Sequence, residues 1–287
     1  MPQLFRKIRE LRSFIKTVRC EGNSRTIGFV PTMGYLHEGH AELIKLSKLQ
    51  NDITVVSIYV NPLQFGEGED FQRYPRDLDR DLALCGELGV DIVFAPTDEE
   101  MYPQKPQVRI EIPGLTDILE GAFRPGHFNG VAIVVLKLLH ILQPDRVYFG
   151  EKDYQQLKVV QRLVEDLSVQ VEVVPVPTVR DKDGLALSSR NTYLTQEERE
   201  SALSIYRSFL LAQRLFSGGN RDPQVIISAV KDFISKHPHV KKIDYVDIRD
   251  EELRPVEKVE EGHRLLVAVW VGTTRLIDNW RFSHEEV

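Results

Sequence analysis

The sequence predicts a Rossmann-like, doubly wound parallel α/β sheet followed by a second, smaller α+β domain at the C-terminus. Three observations carry that expectation. Strand-like runs and helix-period segments alternate from residue 26 to residue 176, the order that builds a parallel sheet with helical crossovers. The runs themselves, such as Ile53-Thr54-Val55-Val56-Ser57-Ile58-Tyr59-Val60, are apolar almost throughout, which suits strands covered on both faces. The pattern then changes after Pro175 and Pro177, so the domains are expected at residues 1–177 and 178–287.

Taken in order, Leu4, Ile8, Leu11, Ile15 and Val18 recur at steps of four and three and predict an opening helix. Thr26 to Pro31 reads as a strand, Glu38 to Leu49 as a helix and Ile53 to Val60 as a strand. Helix Asp77 to Leu88, strand Asp91 to Ala95, helix Phe128 to Leu142, strand Arg146 to Phe149, helix Tyr154 to Leu167 and strand Val171 to Val176 continue the alternation. Beyond it, Thr195 and Glu198 have the spacing of a capping box, opening a helix that runs to about Phe216 before Gly218-Gly219. A helix from Pro223 to Lys236 and strands at Lys242 to Ile248, Leu265 to Val271 and Thr274 to Ile277 complete the second domain, and the tail from Phe282 to Val287 is expected to fray.

Of 287 residues, 42% are hydrophobic and 28% charged, the balance of an ordinary globular protein. The net charge of −6 argues against a broad footprint for nucleic acid or anionic lipid, so any anion must be held by a local cluster. Cys20 and Cys85 have neither CxxC spacing nor histidine partners and read as reduced intracellular thiols. No secretory signal opens the chain, and Val131 to Leu142 is shorter than the roughly 20 residues of a membrane span. A cytoplasmic protein with no membrane partner is expected.

The chemistry is expected at the carboxyl ends of the strands, where ligands of such sheets bind. After the first of them comes Thr32-Met33-Gly34-Tyr35-Leu36-His37-Glu38-Gly39-His40, then a helix. A helix N-terminus offers unpaired N–H groups and partial positive charge to a phosphate, and His37 and His40 add side-chain donors beside Gly39. The plainer alternative is that the histidines merely cap the helix. A zinc reading is weaker, because HxGH lacks the HExxH glutamate and a third ligand. Neither a P-loop nor a GxGxxG fingerprint follows the first strand.

The next strand ends in Asn61-Pro62-Leu63-Gln64, whose amides suit a small polar substrate, although they also suit a simple turn. Charges from Arg73 to Asp81 match a helix start, and Asp81 is a candidate for facing magnesium. Gly150-Glu151-Lys152-Asp153 opens a further helix, with Lys152 a point charge fit for phosphate. Arg180 to Thr192 is a donor-rich loop between the domains, in which Ser188, Ser189 and Arg190 are placed to close over a triphosphate, while Asp183-Gly184 alone would make a hairpin turn.

Together, PTMGYLHEGH, NPLQFGEGEDFQRYPRD, RPGHFNGV, YFGEKDYQQL and LSSRN resemble, in order and spacing, the blocks of the pantothenate synthetase (pantoate–β-alanine ligase) family, one of the HxGH nucleotidyltransferases. The likeness covers nearly all of the first domain and the linker; the second resembles the family mainly by size and its strand-rich end. It implies an ATP-dependent acid–amino-acid ligase with Mg²⁺, acting on pantoate and β-alanine, and a homodimer. It implies that Met33, Gly34, Tyr35, Leu36, His37, Glu38, Gly39 and His40 line ATP, with Gly150, Glu151, Lys152 and Asp153 beside it. By the same resemblance, Val179 contacts adenine, Leu187, Ser188, Ser189 and Arg190 form a mobile triphosphate segment, and His40, His37, Lys152 and Arg190 carry catalysis. Gln64 and Gln156 match the pantoate-binding glutamines, Asn61 and Tyr74 lie near them, Val131, Val134 and Val135 wall the gem-dimethyl group, and Asp81 matches a magnesium-linked carboxylate. Tyr35, Leu187 and Arg80 depart from the family pattern, the last leaving Asp81 without an acidic neighbour at that position. The KMSKS motif of the wider superfamily is absent, so Ser188-Ser189-Arg190 would replace it.

Two other functions fit part of these features. Another HxGH enzyme would transfer AMP onto a phosphorylated coenzyme precursor and retain the adenylyl group in its product. A nucleotide-binding regulator would keep the loop and turn nothing over.

Overall fold

The computed structural model describes residues 1–20 and 25–284. Its backbone divides into two compact units, one of residues 1–151 and 156–177 and one of residues 152–155 and 178–287.

In the first unit, strands β1 (Gln3–Phe5), β2 (Ile27–Thr32), β3 (Ile53–Ile58), β4 (Ile92–Phe94), β5 (Arg146–Gly150) and β6 (Glu172–Val176) form one sheet ordered β1-β4-β3-β2-β5-β6. Every neighbouring pair is parallel. The helices are α1 (Ile8–Cys20), α2 (Glu38–Gln50), α3 (Leu78–Glu87), the single turns α4 (Asp98–Met101) and α5 (Glu120–Phe123), then α6 (His127–Leu142) and α7 (Tyr154–Asp166). Central β3 is buried from Ile53 to Ser57, as its unbroken apolar run requires. Helix α2 lies against β2, β3 and β5. It approaches closely because Gly28 has no side chain: a Cβ there would stand 2.2 Å from Ser47 Oγ.

The strand order reverses between β2 and β5. From β2 the chain steps outward to β3 and β4, and from β5 it steps the other way to β6. The loops leaving β2 and β5 therefore flank the switch point, where doubly wound sheets bind ligands.

In the second unit, α8 (Gln196–Ser217) and α9 (Pro223–Ser235) cover an antiparallel sheet of β7 (Val240–Arg249), β8 (Arg264–Val271) and β9 (Thr274–Arg281). Phe209, Phe216, Ile226, Val230, Val267 and Val269 are fully buried in its core. Thr195 and Glu198 form the expected reciprocal capping box on α8.

Two expectations need correction. Leu4 is not helical: it lies in edge strand β1, paired with Val93 and 37% exposed, and α1 starts at Ile8, whose N–H is taken by Glu100 Oε1 at 2.9 Å. A step of four from Leu4 to Ile8 fits a helix only if the intervening backbone is helical, and the β4 ladder extends it instead. Short α4 and α5 lack enough residues to show a period. The tail is held at its start, because Phe282 is fully buried, stands 5.2 Å from the Phe216 ring and donates its N–H to His263. The rest of the expected fraying, residues 285–287, lies outside the described residues.

Cys20 and Cys85 are both unbridged, and burial pushes the Cys85 thiol up to about 12. No helix among the described residues is long and apolar enough to cross a membrane.

Candidate active site

The loop after β2 owes its shape to two left-handed residues, Gly34 at φ 79° and Tyr35 at φ 50°. At Gly34 a Cβ would come within 2.9 Å of Ile58 Cγ2 and 3.0 Å of Asp81 Oδ2, so a glycine is required. The chain then enters α2 through His37, its N-cap residue. His37 Nδ1 accepts the N–H of Gly39 at 3.1 Å, and His40 Nδ1 accepts the N–H of His37 at 3.2 Å. The two imidazoles thus form a capping box, with ring centroids 4.1 Å apart. Capping, the plainer sequence alternative, is a real role of both. It also sets their chemistry: with Nδ1 accepting, a neutral imidazole carries its proton on Nε2. Each ring is thereby prepared to donate from its outer nitrogen. Within the same segment Leu36 is buried and Glu38 is exposed, paired with Lys45 at 2.8 Å.

Asp81, the carboxylate expected to face magnesium, has a task within the fold. Its side chain is 1% exposed, Tyr35 N donates to Oδ2 and Leu36 N to Oδ1, each at 2.7 Å. Burial raises its pKa from the ordinary carboxylate value, opposed by those two N–H groups. Both oxygens are therefore engaged in holding the loop. Arg80 reinforces them, donating to Leu36 O at 2.8 Å while its guanidinium lies 4.7 Å from the Tyr35 ring centroid. Among the described residues, no group of three or more His, Cys, Asp or Glu is arranged to hold a metal ion.

The loop after β3 makes a single 3-10 turn, Pro62–Gln64, capped by Asn61. Helix α6 packs directly on it through Gly130, where a Cβ would lie 2.2 Å from Leu63 O. Asn61 is saturated: its Nδ2 donates to Gln64 Oε1 and Gly130 O, both at 3.1 Å, and its Oδ1 accepts from Leu63 N at 3.3 Å and Tyr102 Oη at 3.0 Å. An asparagine amide offers no more than these four bonds, which corrects the expectation that Asn61 binds substrate directly. Gln64 Nε2 lies 3.1 Å from Met33 Sδ, joining the two loops.

A cluster that sequence reasoning left without a role supports Gln64 from behind. His127 Nδ1 donates to the Gln64 carbonyl at 2.8 Å, and its Nε2 accepts from Arg124 at 3.2 Å. Arg124 grips Glu69 with bonds of 2.7 and 2.6 Å and reaches Gln64 O at 3.3 Å. Burial, and then the Arg124 charge, lower the His127 pKa to about 4, so its ring is neutral near pH 7. Burial alone would raise Glu69, but its bonds to Arg124 outweigh that and hold it below the ordinary value. The signal available in sequence was the RPGH segment opening α6.

Tyr74 is buried, its ring meeting Phe65 edge-on at 6.0 Å. Val131, Val134 and Val135 are buried on α6, as core residues would be. Gln156 stands in the first turn of α7, partly exposed.

In the second unit Lys152 is mostly buried, with its ammonium 3.2 Å from Asp153 and its carbonyl held by Asn279 at 3.0 Å. The Arg180 to Thr192 loop is a built structure. Leu187 N donates to Val179 O at 3.0 Å, and Asp183-Gly184 makes the turn, with Gly184 at φ 95° against Tyr206. Arg180 anchors it, paired with Asp278 at 2.6 Å and lying within 5.8 Å of the Tyr206, Phe209 and Trp280 ring centroids. Ser188 caps the short helix Ser189–Tyr193 by accepting from Arg190 N, and Ser189 is buried.

A parallel sheet whose switch-point loop presents two imidazole donors on a helix N-terminus defines a phosphate-handling α/β protein. Residues 3–281 match the family described as pantoate-beta-alanine ligase. The chain is 62% identical over 281 residues to the pantothenate synthetase of Aquifex aeolicus (strain VF5), covering 98% of this chain and 99% of that protein. Among solved structures, pantothenate synthetase from Thermus thermophilus superposes with a TM-score of 0.90 at 47% identity, covering 97% and 99% of the two chains. Pantoate-beta-alanine ligase from Francisella tularensis, complexed with beta-gamma ATP and beta-alanine, superposes with a TM-score of 0.81 at 36% identity and covers 98% of each. The chain belongs to the pantoate–β-alanine ligase family.

Proposed function

We propose that this enzyme condenses pantoate with β-alanine in two steps driven by ATP. A pantoate carboxylate oxygen attacks the α-phosphorus, the bond to the β-phosphate oxygen breaks, and pantoyl adenylate and pyrophosphate form. The β-alanine amine then attacks the acyl carbon and gives up a proton, and AMP leaves as pantothenate forms. Activation is needed because a free carboxylate does not acylate an amine.

The observation that carries the reading is the His37–His40 capping box on the α2 N-terminus, each Nδ1 accepting a backbone N–H, held one loop away from the Gln64 amide. Phosphoryl transfer asks a protein mainly for alignment and compensation of charge. His37 and His40 donate to the phosphates, while Lys152 and Arg190 supply positive charge to them. Glu38, Gly39, Gly150, Glu151, Asp153, Val179, Leu187, Ser188 and Ser189 line the nucleotide. Gln64 and Gln156 bind pantoate, with Tyr74, Val131, Val134 and Val135 about its apolar part. Mg²⁺ arrives with ATP as part of the substrate complex. The family resemblance supports a homodimer, and the biosynthetic role of the relatives supports the cytoplasm.

The test is exchange of radiolabelled pyrophosphate into ATP. Label should enter only when pantoate is present, and addition of β-alanine should release free AMP. Exchange that ignores pantoate overturns the reading. An adenylyl group retained in the product would mark a transferase acting on a phosphorylated precursor, and absence of any turnover would mark a regulator.

A further inference from the structure

We infer that Asn61 and Tyr102 are positioning residues that set the polarity of Gln64, turning its amide oxygen inward and leaving only its NH₂ to meet the acid substrate. The inference rests on the proposed role of Gln64 in binding pantoate. It adds which end of the amide acts, what fixes it and which class of acid is admitted.

The orientation follows from groups whose direction is not open to choice. A backbone N–H only donates and a backbone carbonyl only accepts. Leu63 N, 3.3 Å from Asn61 Oδ1, and Gly130 O, 3.1 Å from Asn61 Nδ2, therefore fix the Asn61 amide in one orientation. Its second N–H then points at Gln64 Oε1, 3.1 Å away, and fixes that amide in turn. Tyr102 donates its hydroxyl proton to the remaining lone pair of Asn61 Oδ1 at 3.0 Å. Asn61 is 1% and Gln64 8% exposed, so water does not readily replace these partners. What Gln64 has left to offer is Nε2, whose present neighbour is the thioether of Met33, a weak acceptor at 3.1 Å. The point of contact therefore suits a carboxylate or hydroxyl oxygen and rejects an ammonium or an N–H donor. Where this nitrogen meets the 2-substituent of the acid, a 2-hydroxy acid is admitted and its 2-amino counterpart is not.

Two substitutions should reverse this polarity. In Asn61→Asp the inward group only accepts, so Gln64 turns over and presents its oxygen. In Gln64→Glu the Asn61 network stays intact and an oxygen replaces the outward NH₂. For the full-length enzyme with pantoate and with its 2-amino analogue, both variants should raise the KM for pantoate by at least about 100-fold. KM for ATP should stay within about threefold, and preference for the hydroxy over the amino acid should shrink in the same variants. Tyr102→Phe should raise the pantoate KM by about 3- to 10-fold, the effect of one neutral hydrogen bond, with ATP unaffected. Should Asn61→Asp fail to fold, shown by its thermal melt, Gln64→Glu decides alone. A pantoate KM within threefold of wild type in Gln64→Glu, or a larger change for ATP than for pantoate, overturns the inference. Wild-type enzyme without pantoate-dependent pyrophosphate exchange would instead overturn the underlying reading.

Discussion

His37 and His40 hold each other in place: the Nδ1 of His40 accepts the N–H of His37, while His37 turns its own Nδ1 to the N–H of Gly39. Each imidazole is therefore both a helix cap and a donor prepared on its far side. The two roles separate by substitution, because asparagine places an amide oxygen near the position of Nδ1 but has nothing at Nε2. His40→Asn should keep the cap and its roughly 1 kcal/mol, yet lose about 100-fold or more in turnover. His40→Ala should lose both. Thermal melting and steady-state rates measured on the same preparations check this, and wild-type turnover in His40→Asn would remove the outer nitrogen from the mechanism.

Asp81 clamps the neighbouring turn with one oxygen on Tyr35 N and the other on Leu36 N. Asparagine keeps one acceptor and brings an NH₂ against the second N–H, so Asp81→Asn should cost about 1–3 kcal/mol of stability. Because the loop it positions is the one proposed for ATP, KM for ATP should rise about tenfold by this loss of about 1.4 kcal/mol in binding. The free Mg²⁺ concentration that gives half-maximal rate should not move. A large shift in that Mg²⁺ requirement, with the ATP KM preserved, would mark Asp81 as a metal ligand instead.

Much of this architecture was legible in sequence for a physical reason. Strands such as β3 carry their burial in an unbroken apolar run, and helices such as α8 announce their starts through Thr195 and Glu198. The same local chemistry marked His37 and His40 at a helix mouth. What failed to show is what depends on contacts distant along the chain. Leu4 belongs to a strand because Val93 pairs with it, and the engagement of Asp81 depends on a loop 45 residues earlier. Asn61 looked like a substrate ligand until Gly130 and Tyr102 were seen to use up its amide. Arg124 and His127 were visible as residue types, but their task is set by Glu69 and by the Gln64 carbonyl, which no spacing encodes.

His127 gives the fold a pH dependence whose sign can be worked out. Its folded pKa is depressed to about 4 from 6.5, first by burial and then by Arg124. Between those values the unfolded chain binds the proton that the folded chain refuses, so stability must fall as pH drops through the window. A difference of about 2.5 pKa units amounts to about 3 kcal/mol lost between pH 7 and 4 from this group. The structural cause is local: protonation puts a second N–H on Nε2, facing the Arg124 donor it now accepts from at 3.2 Å. His127→Asn removes the titrating ring and retains a donor for the Gln64 carbonyl. Urea midpoints taken at half-unit steps from pH 7 to 4 should therefore fall less steeply in the variant than in wild type. Carboxylates held below their ordinary value, Glu69 among them, are present in both proteins and largely cancel in the comparison. Parallel curves would show that His127 is not held neutral by the fold, and the support it gives to the Gln64 turn would then have to come from Arg124 alone.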